Sequence, residues 1–476
     1  MLQKESQYRL LAALAFFIAA LFSVGYHHFD EHFQIMEFAG LKLGLNQESA
    51  MPWEYAFQIR PTLQPAMVVI FQRITSYLGL SDPFVITFLL RLVSAAFSFY
   101  ILQLIYRAFK DSVKEPELQK WYLILTYTLW FTFYIGVRFS SENWSALWFL
   151  LGFALYFLNK DRNTLHFFLI GIYFGLAFLF RFQAAFMILG FGFWLLLIAK
   201  EKFKDLLTLF AGFVLVFLIG ALIDRWFYDE WTVSSWNYFA QNIIEDKVSG
   251  FGIRPWYWYF TKVFESAVPP LSLLILLSYF AIVILRPKSP LVWVSLPFLL
   301  IHILIGHKEL RFLFPLYLLV PVIIVKAIIS VQRFFTLKVV SNSIMRITMK
   351  LCFVINFILL LVVIFKPADN QIGLYKKIYR DYKTSSTLYH IDKNPYHRVL
   401  GVNYYKRPQL KIVKAETLAQ IPSAAETQLV VTENRLPESH PRIKRLVYSS
   451  FPAWLLEYNY NNWQDRTPAW YVYELR

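Results

Sequence analysis

The chain has 476 residues, of which 57% are hydrophobic and only 16% charged, outside the range of a soluble globular domain and in keeping with a polytopic membrane protein. Its net charge of +16 is dispersed over short connectors rather than on a basic face interleaved with stacking aromatics, so nucleic acid is excluded as a partner and membrane orientation explains the lysines and arginines. The single cysteine, Cys352, excludes both an intramolecular disulfide framework and a cysteine-rich metal site.

Taken in order, the first apolar run (10 to 26) is long enough to cross a bilayer, and no small-residue cleavage site precedes His27, so it reads as a retained anchor. It opens directly into HHFDEHFQ, where Asp30 and Glu31 form a bare acidic pair at a membrane edge. In a helix, Asp30, Gln34 and Glu37 fall at i, i+4 and i+7, which predicts an interfacial helix with one polar face. The stretch 63 to 80, with Pro65 and Arg73 inside it, reads as a second interfacial or re-entrant helix. Further spans are expected near 84–106, 121–137, 143–158, 164–180, 183–199, 206–223, 264–285, 291–305, 312–329 and 350–366, eleven with the first. The loop 224–262 is too aromatic for a solvated linker and too polar for a span, so it should lie along the membrane surface. Past 366 the alternating stretches LKIVKA, QLVVTENR and WYVYELR predict strands, hence a small α/β soluble domain at 367–476 after a membrane-embedded domain at 1–366.

Threading from an inner N-terminus puts the connectors 107–120, 159–163, 200–205, 286–290 and 330–349 on the inner side, where simple basic clusters such as Lys200, Lys202 and Lys204 gather. The opposite face receives HHFDEHFQ, WEYAFQIR (53–60), RFSSEN (138–143), RFQ (181–183), the loop 224–262 and HKELR (307–311). Chance would scatter such residues over both faces, so one extracytoplasmic active site is implied.

The chemistry of these clusters is that of transfer to a hydroxyl. Asp30, with Glu31 beside it, suits a general base that takes the acceptor proton. The plainer reading is a capped or solvated pair. Arg60 and Arg181 can bind a phosphate or a substrate oxygen, although long side chains at such places also snorkel. His307, Lys308 and Arg311 fall within one predicted turn beside Glu309 and make a lipid-phosphate site, or a headgroup contact. His27, His28 and His32 lack a metal-site spacing, so no metal and no cofactor is expected, and no P-loop, GxSxG or dinucleotide fingerprint occurs.

His28, Asp30, Glu31, Gln34 and Glu37 together resemble the H-P-D-E-x-x-Q-x-x-E signature of the lipid-phosphate-mannose-dependent mannosyltransferases, the family of GPI mannosyltransferase III and its N-glycan relatives. Four later blocks agree in order: Trp53-Glu54-Tyr55 with Ile59-Arg60; Asp224, Phe227-Tyr228 and Trp231; Gly252, Pro255-Trp256 and Trp258-Tyr259; and His307-Lys308-Glu309 with Arg311-Phe312. Phe29 stands where the family has proline, and Pro61 follows Arg60 where a small polar residue is commoner. The resemblance implies an all-α polytopic glycosyltransferase of the C superfamily, inverting and metal-independent, acting on the outer or luminal face with a polyprenyl-phosphate sugar as donor and a glycan or glycolipid as acceptor. On that reading Asp30 is the base with Glu31 in support, and His28, Gln34, Glu37, Glu54, Arg60, Arg181, Gln183, His307, Lys308, Glu309 and Arg311 bind substrate. Short loops and the lack of an ER-retrieval tail point to a bacterial plasma membrane, with the ER membrane as the eukaryotic counterpart. Two rivals stand beside it. A transporter or lipid flippase would want polar residues at the bilayer midplane, where Arg91 is the main exception, and a non-catalytic scaffold would leave the acidic pair without a task.

Overall fold

The computed structural model describes residues 2–336, 342–384, 386–423, 427–437, 439–466 and 469–476, so part of the expected connector 330–349 lies outside the described residues. The chain divides into two compact units. One comprises Met1–Ser23, Phe57–Ala66 and Phe88–Lys366, the other Val24–Ala56, Met67–Thr87 and Pro367–Arg476.

The first unit is helical. Among the described residues, Gln3–Phe22, Pro83–Lys110, Phe203–Tyr228, Leu310–Phe335 and Ser343–Phe365 are long and apolar enough to cross a membrane, and Leu271–Leu285 with Pro290–Leu304 form a pair bent by 113°. The expected span at 143–158 is the continuous 18-residue helix Ser141–Leu158, those at 164–180 and 183–199 are the shorter apolar helices Thr164–Phe180 and Ala184–Leu197, and one more is broken. That at 121–137 is two helices, Pro116–Thr128 and Trp130–Gly136, interrupted at Leu129. The break exposes backbone groups that an apolar medium cannot satisfy. Asn356, buried in the helix Ser343–Phe365 where residues 351–365 are otherwise apolar, supplies both partners: its Nδ2 donates to the Thr128 carbonyl at 2.7 Å and its Oδ1 accepts from the Trp130 amide at 3.0 Å.

Arg91 is accounted for in the same way. Buried in the helix Pro83–Lys110, its Nε donates to the Ala20 carbonyl at 3.0 Å, while Arg138 donates to the Ser23 carbonyl at 3.1 Å and to its hydroxyl. Two cations thus close the orphan carbonyls at the end of the first helix, where the helix dipole favours positive charge. Small residues set the closest helix contact. A Cβ on Gly171 would lie 1.9 Å from the Leu209 carbonyl oxygen, and one on Gly212 would lie 2.2 Å from that of Phe168, so Thr164–Phe180 and Phe203–Tyr228 touch backbone to backbone.

The second unit carries a five-stranded sheet of β1 (Ser386–His390), β2 (Leu410–Lys414), β3 (Thr427–Thr432), β4 (Ile443–Ser449) and β5 (Tyr471–Leu475) in the order β2-β1-β3-β5-β4. β1 runs parallel to β2 and β3, and β5 is antiparallel to β3 and β4. The three expected alternating stretches became β2, β3 and β5; β1 and β4 lacked a clean period of two.

Segment 24–56 belongs to this unit too. The Ala368 and Asp369 amides donate to the Val24 carbonyl at 2.9 and 3.0 Å, and the rings of Tyr26, His32, Tyr405 and Phe84 stack in succession at centroid spacings of 4.8, 5.3 and 5.0 Å.

Glu474 on β5 gives the sheet a pH dependence. Burial pushes its carboxyl up, but hydrogen bonds from Lys444 (2.7 Å) and Arg445 (2.9 Å) outweigh that and hold it below the ordinary range. A depressed carboxylate contributes stability above its unfolded pKa, and that contribution is lost as pH falls through the folded value. Glu474→Gln should therefore melt earlier than the parent at pH 7, with the gap closing below about pH 4. Melting temperatures across pH 3–7 check this; a gap that persists in acid contradicts it.

Candidate active-site residues

In the second unit the first helix after the anchor is short, Phe29–His32. His28 caps it, its Nδ1 accepting from the Asp30 amide at 3.1 Å. The acidic pair then diverges. Glu31 turns back, and its Oε2 accepts from the His27 amide at 3.1 Å. The Asp30 carboxylate stays about a quarter exposed, 3.6 Å from His28 Nδ1. A π-helical turn over Phe33–Glu37 follows, and its wider turn breaks the expected i, i+4, i+7 face. Glu37 is consequently 1% exposed. His32 Nε2 lies 2.7 Å from its carboxylate, which also accepts from Asn46 and from the amides of Asn403 (2.8 Å) and Tyr404 (3.0 Å). Those bonds make Glu37 a brace between the first loop and segment 403–404. Gln34 donates to Glu54 at 3.0 Å, joining the helix Trp53–Ala56 to the π turn.

In the first unit the segment 58–62, which carries Arg60, is clamped by residues 224–238. Asp224, expected in a surface loop, lies instead in the last turns of the helix Phe203–Tyr228. Its carboxylate accepts from the Thr62 amide (2.8 Å), the Thr62 hydroxyl (2.6 Å) and the Ser234 hydroxyl (2.7 Å), while Tyr228 donates to the Arg60 carbonyl at 2.9 Å. The Arg60 guanidinium sits 5.8 Å from the centre of the Tyr238 ring, whose hydroxyl takes a hydrogen bond from Gln183. Asp224→Ala leaves three buried donors without their acceptor and should cost at least about 2 kcal/mol of stability. A thermal melt in detergent reads it; an unchanged midpoint contradicts the clamp.

The second cluster of this unit is an ion network. Arg181 caps the C-terminus of the helix Thr164–Phe180, Arg311 stands on the 3-10 helix Leu310–Leu319, and each places an Nη1 2.9 Å from the same Glu142 Oε1. Glu309 takes Arg311 in bidentate fashion, at 2.6 Å from Nε and 3.1 Å from Nη2, and His307 Nε2 lies 3.0 Å from Glu309. Both guanidiniums lie over the Phe312 ring. Tyr259, fully buried with its hydroxyl pushed up by desolvation, is also in electrostatic reach of Arg181.

Lys308 does not join this group. Residues 305–309 are not helical, and its ammonium turns to the carbonyls of Ile305 (2.5 Å), Arg254 (3.1 Å) and Gly306 (3.4 Å). Desolvation lowers its pKa from the ordinary lysine value. Glu142, Asp224 and Tyr238 were missing from the predicted substrate-binding and catalytic residues. For Glu142 the signal was present: it is the one charge on the helix Ser141–Leu158, in its first turn behind the Ser140 cap.

Residues 8–412 match the Alg9-like mannosyltransferase family. GPI alpha-1,2-mannosyltransferase 3 of Xenopus laevis is 26% identical over 318 residues, 65% of this chain and 58% of that protein. Mannosyltransferase APTG1 of Arabidopsis thaliana is 27% identical over 319 residues, 64% of this chain and 55% of that one. The alignments therefore span a little over half the length of these curated relatives. Among solved structures, apo ArnT from Cupriavidus metallidurans shares the fold at a TM-score of 0.50 and 10% identity, over 98% of this chain and 97% of that one. A family match over most of its length means that this chain belongs to the Alg9-like mannosyltransferase family.

Proposed function

We propose that the protein is an inverting glycosyltransferase that moves mannose, or a closely similar hexose, from a polyprenyl-phosphate sugar to a hydroxyl of a glycan or glycolipid. The observation that carries this reading is the pair of guanidiniums 2.9 Å from one buried carboxylate oxygen, inside the family-matched stretch. Arg311 and Arg181 are the groups that meet the donor phosphate, with His307 and Glu309 holding Arg311 in place. Arg60 and Gln183, linked through Tyr238, contact substrate oxygens. In the second unit Asp30 is the base, and His28 sets its helix turn. Glu31, Gln34, Glu54 and Glu37 shape that loop, and Lys308 shapes the loop before Leu310. A single displacement at the sugar's C1, with the acceptor oxygen entering as the phosphate leaves, inverts that carbon. The phosphate leaves readily once its charge is met, so the protein mainly supplies a base and a clamp.

Acting on the extracytoplasmic side of a bacterial plasma membrane, or the luminal side of the ER, agrees with the gathering of basic residues in the connectors expected on the inner side. The transporter reading has less support, since Arg91 serves the backbone of the first helix. Purified protein incubated with a panel of polyprenyl-phosphate sugars and a glycolipid acceptor should consume the mannosyl donor. Consumption of none would overturn the reading. For the sidedness, a maleimide that does not cross membranes should label Glu245→Cys from outside and Lys202→Cys only after lysis, in a Cys352→Ala background; labelling of both from one side would contradict it.

A further inference from the structure

Glu142 is 2% exposed, and one of its oxygens serves two guanidiniums from separate elements. Its other oxygen takes the Ser141 hydroxyl at 3.2 Å, and its place in the first turn of an 18-residue helix sets it where the helix dipole favours negative charge. Glu309 pairs with Arg311 as well. We infer that Glu142 is a positioning residue, a fixed counter-ion that spaces Arg181 and Arg311 and limits how tightly they hold the polyprenyl phosphate that leaves. The inference rests on the reading that these guanidiniums meet the donor phosphate.

The chemistry of the step supplies the reason. The donor is a phosphodiester with one negative charge. As the bond from C1 to the phosphate oxygen breaks, its electron pair stays on that oxygen, the acceptor oxygen bonds to C1, and the acceptor proton passes to the base. The product is a phosphomonoester with close to two negative charges at neutral pH. Without the Glu142 carboxylate, and even with Glu309 still on Arg311, the two arginines would hold the product more strongly than the substrate, and turnover would slow at release. A carboxylate between them repels any anion there in proportion to that anion's charge, so it acts about twice as strongly on the product as on the donor.

The test uses the full-length protein in detergent, with farnesyl phosphate as the product probe. Glu142→Gln should lower the inhibition constant of farnesyl phosphate by about tenfold, the scale of one charge-assisted contact. The KM for the sugar donor should fall by a smaller factor and kcat should fall with it. Glu142→Asp keeps the charge but draws it back, so kcat should fall while the inhibition constant stays within about twofold. Equal tightening of donor and product, or no tightening, in Glu142→Gln overturns the counter-ion role. Should that variant not fold, tight product binding by Glu142→Asp overturns it instead. Arg311→Ala tells the two readings apart: if its inhibition by farnesyl phosphate equals that of the parent, the phosphate assignment itself fails.

Discussion

Replacing Asp30 by Asn should lower turnover by about 10² to 10⁴, the usual worth of a positioned base, with the KM for the donor little changed. The substitution keeps the size and shape of the side chain and removes its capacity to take a proton. Asp30 is the member of the acidic pair proposed as the base: its carboxylate is partly exposed, and one Glu31 oxygen on the same short helix accepts from the His27 amide. The fold should tolerate the change, since the helix is capped by His28 through the Asp30 amide and not through its side chain. Steady-state kinetics on a variant with the parent's melting temperature checks this. Turnover within a few-fold of the parent would move the role to Glu31, and Glu31→Gln would then be the decisive variant.

Arg311→Ala should act differently, weakening donor binding as well as rate. The loss of a charge-assisted phosphate contact is worth about 1.5–3 kcal/mol, or on the order of 10- to 150-fold in kcat/KM. A second cost comes with it, because Glu142 and Glu309 would each lose a partner at 2.9 and 2.6 Å. Arg311→Lys separates the two. It restores a charge but cannot reproduce the bidentate pairing with Glu309, so it should recover stability more fully than activity. A fall in kcat alone, with an unchanged KM in Arg311→Ala, would place the residue away from the donor phosphate.

Much of this was legible from the chain alone. The helical membrane architecture followed from composition and from the length of the apolar runs, because a bilayer demands both whatever the topology. The sheet past 366 showed in the strands that alternate, and was silent in β1 and in β4, where Glu474 of β5 draws Lys444 and Arg445 into one cluster. The candidate site residues were visible as motifs, since aspartate, arginine and histidine in an apolar chain are costly to keep.

Their division of labour was not legible. Asp30, Glu31 and Glu37 are the same functional group within eight positions, and sequence spacing put Asp30 and Glu37 on one polar face. A π turn and the amides of Asn403 and Tyr404 bury Glu37, whereas Asp30 stays in contact with solvent. Lys308 and Arg311 read alike as phosphate cations, yet the fold turns one to backbone carbonyls and the other to carboxylates. Glu142 looked like one acid in a polar hexapeptide until Arg181 and Arg311 converged on it. The physical reason is common to all three. Residue type and local period set what a side chain can do, and they are written in the chain. Burial and partner set what it does, and those depend on residues as far apart as Glu37 and Asn403, which only the folded chain brings within hydrogen-bonding distance.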